Sequence, residues 1–252
     1  LLFVPTGAFL LGFADDWLKV SKKSSEGLKA RYRFPIQILL GLVLGFAANT
    51  LAGEDVRHFL PIPGVAWALL PSMALIAWLT LYFAGTLNAV NFTDGLDTLL
   101  AGTGLMALVI IGILSYGWVA RWIPVDPLLG HAAFAGAGTL LGFYPFNRHP
   151  AKLFMGDGGA YFIGALMATI TALQGSTFCF LIIGGVFYIE LLSVILQVAS
   201  FRLTKGKRRL FPMAPIHHAF EVKNWKEQDI VTLFWGAGLV AGLLGLWLIR
   251  AI

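Results

Sequence analysis

The chain of 252 residues carries a single cysteine, Cys179, so it cannot close an intrachain disulfide, and its redox compartment is left open. Charge is equally scarce. Only 12% of residues are Asp, Glu, Lys or Arg, against about 25% in soluble globular chains. Apolar residues fill the difference, at 58% of the chain with a mean hydropathy of +0.80. That composition excludes a disordered chain, a collagenous chain, a disulfide scaffold and an ordinary soluble domain. No charged segment precedes the apolar start and no A-x-A site follows it, so a signal peptide is not expected. The net charge of +5 and pI of about 9.4 would suit a nucleic-acid partner, but the placement of the charges suits a membrane better, and no nucleic acid is expected.

Crossing a bilayer takes about 20 mostly apolar residues. The sequence offers a short apolar stretch, Leu1–Ala14, then seven segments: Phe34–Ala52, Val65–Thr86, Thr98–Val119, Leu128–Phe146, Ala160–Leu173, Thr177–Ser200 and Ile230–Ile249. They predict an all-α, polytopic transmembrane helix bundle of about eight spans, forming one integral membrane domain over residues 1–252. Strict alternation puts the loops 15–33, 87–97, 147–159 and 201–229 on one side, with fifteen Lys and Arg. Arg57, Arg121 and Arg250 make three on the other. By the positive-inside rule the four loops face the cytoplasm. Nine of the thirteen acidic residues lie on that side too, which suggests a site for a divalent metal and a phosphorylated ligand.

Four blocks stand out in those loops. In Gly12-Phe13-Ala14-Asp15-Asp16, adjacent carboxylates at a span end imply a cation or a shared proton, unless they merely mark a solvated helix end. Lys19, one helical turn beyond Asp15, can keep that carboxylate ionised. In Asn88-Ala89-Val90-Asn91-Phe92-Thr93-Asp94-Gly95-Leu96-Asp97, polar residues recur every third position, which on a helix gathers them roughly on one face; the plainer reading is a helix cap at Thr93 or Asp94. In Asn147 to Gly159, glycines around Asp157 let backbone and carboxylate approach a phosphate–metal unit, and Mg²⁺ is typically held by one or two carboxylates plus substrate phosphates. A Gly-Asp-Gly alone is more often a turn. His149 in this block stays undecided. In Ala214-Pro215-Ile216-His217-His218, the histidines lack the H-E-x-x-H spacing of a zinc protease and fit a phosphate-facing role, while most of the basic run just before them reads as a lipid-facing anchor. Within the span Thr177–Ser200, Glu190 and Gln197 lie seven residues apart on one face, and an ionisable residue there faces the bundle interior or a cavity by default.

Taken together, Gly12–Asp16, Asn88–Asp97, Phe154–Asp157, Gly185–Glu190 and Ala214–His218 resemble, in order and spacing, the phospho-N-acetylmuramoyl-pentapeptide transferases, a family within the polyprenyl-phosphate N-acetylhexosamine-1-phosphate transferases. The resemblance implies a ten-helix bundle whose first helices would precede Leu1, in the bacterial cytoplasmic membrane with its site facing the cytoplasm, and usually a homodimer. It implies Mg²⁺-dependent transfer of phospho-MurNAc-pentapeptide from UDP-MurNAc-pentapeptide to undecaprenyl phosphate, giving lipid I and UMP. It further implies Asp157 as metal ligand, Asp15, Asp16, Asp94, His217 and His218 as catalytic residues, and Asp97, Phe154 and Asn147 on the uridine. Asn88, Asn91, Lys19 and Gln197 complete the expected substrate contacts. Asp15 is the expected group to deprotonate or orient the lipid phosphate, and a covalent aspartyl-phosphate is the alternative. The chain departs from the family at Ala219, where a third histidine is usual, at Ala160, where serine is frequent, and at Glu26, where lysine is common. Two rivals remain: a sister transferase acting on UDP-N-acetylglucosamine, and a transporter with carboxylates at broken helices near the bilayer midplane.

Overall fold

The computed structural model describes residues 1–252 except 25, 52–58, 61–67, 70–71, 120–122, 124 and 252. Arg57 and Arg121 lie outside the described residues. In chain order the helices are α1 (Phe3–Ser21), α2 (Ala30–Leu51), α3 (Ser72–Thr93), α4 (Leu99–Ser115), α5 (Pro127–Asn147), α6 (Gly156–Leu173), α7 (Thr177–Ile183), α8 (Gly185–Leu203), α9 (Ile216–Glu221) and α10 (Glu227–Ala251). Between α2 and α3, two-residue strands β1 (Phe59–Leu60) and β2 (Ala68–Leu69) pair antiparallel. Every longer element among the described residues is a helix, as the all-α expectation has it, and the hairpin is a small addition within the α2–α3 connection. The helices α2, α3, α8 and α10 are long and apolar enough to cross a membrane, so the protein is a multi-pass membrane protein.

Helix boundaries follow local chemistry. The α5 start is fixed by Asp126, whose carboxylate accepts from the N–H groups of Leu128 and Leu129 at 2.9 and 3.2 Å, with Pro127 at the first helical position. The expected span Thr177–Ser200 is instead two helices, α7 and α8, meeting at Gly184. The expected loops also start later than predicted: α1 runs on to Ser21 and α3 to Thr93, so Asp15, Asp16, Asn88 and Asn91 are all on helices.

At the centre stands α6, packed by α1, α2, α3, α4 and α5. Among its buried residues are the small Gly158, Ala160, Gly164, Ala165 and Ala168, which let neighbouring backbones close in between larger ones such as Tyr161 and Leu166. The tightest approach is at Gly12 of α1, where a methyl group would lie 2.3 Å from the carbonyl oxygen of Asp157. Polar pairs tie the helices together inside the apolar core: Tyr82 with Thr171 at 2.6 Å, Thr86 with Tyr188 at 2.8 Å, and Gln174 with Ser115 at 3.1 Å. Large apolar side chains such as Phe3, Phe13 and Trp17 on α1 and Leu243 and Trp247 on α10 point outward, as lipid-facing residues do.

Candidate active site

The ends of α1, α3, α5 and α6, with α9 and the start of α10, converge at one end of the bundle, joined there by the contacts described below. From the last two turns of α1 come Asp15, Asp16 and Lys19; from the first turn of α6 comes Asp157, where the helix dipole favours a carboxylate. Lys19 Nζ sits among all three acids, 2.6 Å from Asp15, 2.7 Å from Asp157 and 3.8 Å from Asp16. From α2, Arg33 reaches within 3.5 Å of both Asp15 and Asp157. Asn91 of α3 donates to Asp157 Oδ1 at 2.8 Å, and the Gly158 N–H donates to Asp16 Oδ2 at 3.0 Å. Asp15 is wholly enclosed: its Oδ1 accepts from Leu28 N–H at 2.6 Å.

The electrostatics follow from this crowding. Burial and the adjacent Asp157 push the Asp15 carboxyl above the ordinary range. Burial opposes ionisation of Asp157 as well, but hydrogen bonds from Asp15, Lys19 and Asn91 outweigh it and hold Asp157 below that range. Lys19 also loses hydration, yet Asp15 and Asp157 keep its ammonium above its usual value. Beside them Asp94, in the turn after α3, is raised to about 7 by burial and by the charges of Asp157 and Asp16. One oxygen from each of Asp15, Asp16 and Asp157 lies within 4.8 Å of the others, an arrangement able to hold a metal ion.

Against this cluster opens a cavity of about 210 Å³ whose walls include Asp16, Lys19, Asn91, Asp94, Asp97, Asn147, Phe154 and Asp157. Eight residues singled out from separate stretches of sequence thus share one space. The turn from Asp94 to Thr98 forms one wall. Thr98 takes a left-handed conformation, φ +67°, unusual for a β-branched residue. It is held there by Asn147 Oδ1, which accepts from its N–H at 2.9 Å, and by Trp235 Nε1, which donates to its carbonyl at 3.2 Å. Phe154, 78% exposed, leaves its ring open at the cavity edge.

Residues 1–175 match the sequence profile of glycosyl transferase family 4. Over 248 residues the chain is 39% identical to the phospho-N-acetylmuramoyl-pentapeptide-transferase of Staphylococcus epidermidis, spanning 98% of this chain and 75% of that protein. The enzymes of the same name from Staphylococcus haemolyticus and Staphylococcus aureus are each 40% identical over the same shares. The chain belongs to this transferase family. The resemblance read from the five sequence blocks is therefore borne out, and the chain is a transferase by kinship.

Other family-motif residues stand apart from the cavity. Asn88 turns away from Asn91: its amide donates to Gln37 and to the Ala84 carbonyl, both at 2.8 Å, at the α2–α3 contact. Gln197 uses its amide on the backbone of Leu210 and Phe211, accepting from both N–H groups at 3.0 Å, and so shapes the basic loop. His217 is fully buried, and His218, on the surface, pairs with Glu221. Thr93 donates to the Ala89 carbonyl rather than capping a helix. Four residues outside the expected site set also emerge. Arg33 reads in the sequence only as a basic loop residue. Glu227, at the α10 start, accepts from Asp97 N–H at 2.7 Å. His149, ambiguous in the sequence, lies 3.0 Å from Asp97 and 3.2 Å from Glu227, a second trio able to hold a metal. Glu190 lies behind His217. The only advance signal for these is charge at a span end or inside a span.

Proposed function

We propose that this protein transfers phospho-MurNAc-pentapeptide from UDP-MurNAc-pentapeptide to undecaprenyl phosphate, producing lipid I and UMP for peptidoglycan synthesis. The observation that carries the reading is the cavity in which carboxylates, a lysine, amides and an exposed aromatic ring meet at one end of an apolar bundle. In the reaction a lipid phosphate oxygen forms a bond to the phosphorus bearing the sugar, and the bond from that phosphorus to UMP breaks. Two anions must meet, so charge neutralisation and positioning dominate. The donor set of Asp15, Asp16 and Asp157 is hard oxygen, which fits Mg²⁺. Bound there, Mg²⁺ supplies positive charge to the phosphates.

Lys19 and Arg33 contribute fixed positive charge beside the acids. Asp94, whose carboxyl is pushed up to about 7 in the metal-free site, lines the same cavity and can accept or return a proton there. Of the adjacent acids, Asp16 faces the cavity while Asp15 is enclosed. The geometry therefore favours Asp16 for the lipid phosphate and gives Asp15 the task of anchoring Lys19 and the Leu28 backbone. Asp97, Asn147 and Phe154 form the side suited to uridine, planar and polar. The lipid chain has a separate berth: an apolar groove of about 600 Å³ between α3 and α8, with Phe34 and Leu191 among its walls and Arg202 beside them.

The same reading sets this as a multi-pass protein of about eight spans in the bacterial cytoplasmic membrane, with its four polar loops toward the cytoplasm, acting as a homodimer. The transporter reading is weaker, because Asp15, Asp16, Asp94 and Asp157 gather at helix ends and Glu190, in the second turn of α8, is sealed against His217. The test is Mg²⁺-dependent UMP release from membranes containing the protein and undecaprenyl phosphate. Release with UDP-MurNAc-pentapeptide and none with UDP-N-acetylglucosamine is expected; the reverse preference would assign the sister reaction, and no release with either would end the proposal.

A further inference from the structure

Behind the turn that walls the cavity lies a pair of ionisable groups that this chemistry does not use. Glu190 comes from the second turn of α8 and His217 from α9. Both side chains have zero exposure, and His217 Nδ1 stands 3.1 Å from Glu190 Oε1, close enough for an ion pair though off the hydrogen-bonding direction. The remaining carboxylate oxygen and His217 Nε2 are buried without hydrogen-bond partners. Enclosing such groups costs far more than enclosing a leucine or methionine of similar size, and replacing a buried pair by apolar residues is often neutral or stabilising. Stability alone does not account for them.

Their location does. The opposite edge of the imidazole, Nε2, lies directly against Gly95, where a methyl group would come within 2.3 Å. Gly95 is the middle of the turn that presents Asp94 and Asp97 to the cavity. The turn is clamped at its far end, where Asn147 and Trp235 hold Thr98. His217 supports it from behind, and the imidazole in turn is held by Glu190 on one edge and lies beside the His218 ring, 4.0 Å between centroids.

We propose that Glu190 is a positioning residue: acting through His217, it fixes the Asp94–Asp97 turn in the place the transfer reaction needs. His217 serves the site from beneath, without touching substrate. The proposal rests on the transferase reading for its kinetic consequence and on the turn itself for its structural one, and two measurements separate these. Two variants of the whole chain are compared with the parent in detergent: Glu190→Gln, which keeps shape and removes charge, and Glu190→Met combined with His217→Leu, which replaces the pair with apolar groups. Hydrogen exchange is followed by mass spectrometry over residues 94–98, beside UMP-release kinetics. In the apolar double variant, melting is expected to stay near that of the parent. Exchange at 94–98 should quicken about tenfold or more while the α1–α6 contact keeps its protection, and kcat/KM for the UDP-linked substrate should fall about ten- to a hundredfold. Glu190→Gln is expected to act in the same direction.

If the double variant keeps both its protection and its turnover, the pair is packing and the proposal is overturned. Loss of protection throughout the bundle would overturn it too, since the effect would then be general. Should Glu190→Gln fail to fold, the double variant carries the test. If the parent releases no UMP, the transferase reading fails, while exchange at 94–98 still decides whether Glu190 holds the turn.

Discussion

Replacing Asp94 by asparagine should make the protein more stable above neutral pH while stopping its chemistry. The Asp94 carboxyl rises from 3.8 to about 7 because burial, then the charges of Asp157 and Asp16, oppose its ionisation. Each tenfold change in an acid constant corresponds to about 1.4 kcal/mol, so ionised Asp94 costs the folded state at most roughly 4 kcal/mol. The sign follows from linkage. Below pH 3.8 the group is neutral folded or unfolded, and the substitution should change little. Between 3.8 and 7 the unfolded chain releases the proton first, so the wild-type protein loses stability as pH rises. Above 7 the penalty is complete. The substituted amide has no proton to lose and escapes it.

The assay is thermal unfolding in detergent with a chelator present, for wild type and Asp94→Asn, from pH 5 to pH 8.5. The Tm advantage of the variant should grow with pH and level off above about 7, while UMP release falls by about 10²–10⁴. A variant less stable than wild type at pH 8, or a Tm difference that does not change with pH, would refute the placing of Asp94 among uncompensated charges.

Three further outcomes are expected. Asp157→Ala should abolish Mg²⁺-dependent UMP release and still yield folded protein; substantial turnover would remove Asp157 from the metal set. Gly12→Ala should push α1 off α6, because the added methyl would meet the Asp157 carbonyl at 2.3 Å, and should lower both Tm and kcat, whereas unchanged kinetics would mean that the helix contact does not set the site. A cysteine at Lys205 should be labelled only from the cytoplasmic face and one at Asp126 only from outside; labelling of both from one side would break the alternation of spans.

The convergence of distant loops can be read in advance because charge in a membrane protein concentrates at the helix ends, so Asp15, Asp16, Asp94 and Asp157, counted on one side, are candidates to meet. Lys19 beside Asp15 is likewise legible, since residues four apart share a helix face. Other features carry no such mark. The break at Gly184 sits inside an unbroken apolar run, where nothing changes in polarity. Asn88 and Asn91 are about 60° apart on α3, enough for one to face α2 and the other α6. Adjacent histidines give no sign of which turns inward, and only the packing of α9 against α8 buries His217 and leaves His218 outside. The trio of Asp97, His149 and Glu227 joins three elements, and its members look ordinary one by one.

The contact of Gly12 with the Asp157 carbonyl divides the labour of the molecule. It lies one helical turn before the Asp15–Asp16 pair, so the spacing of the three carboxylates is set by two helix backbones in contact rather than by any loop. The side proposed for the nucleotide, by contrast, is built from the Asp94–Thr98 turn and the Asn147–Phe154 segment. On the proposed function, loop changes would alter which sugar nucleotide is accepted while the acid cluster keeps its dimensions. Selectivity and reactivity can therefore diverge on separate schedules within one chain.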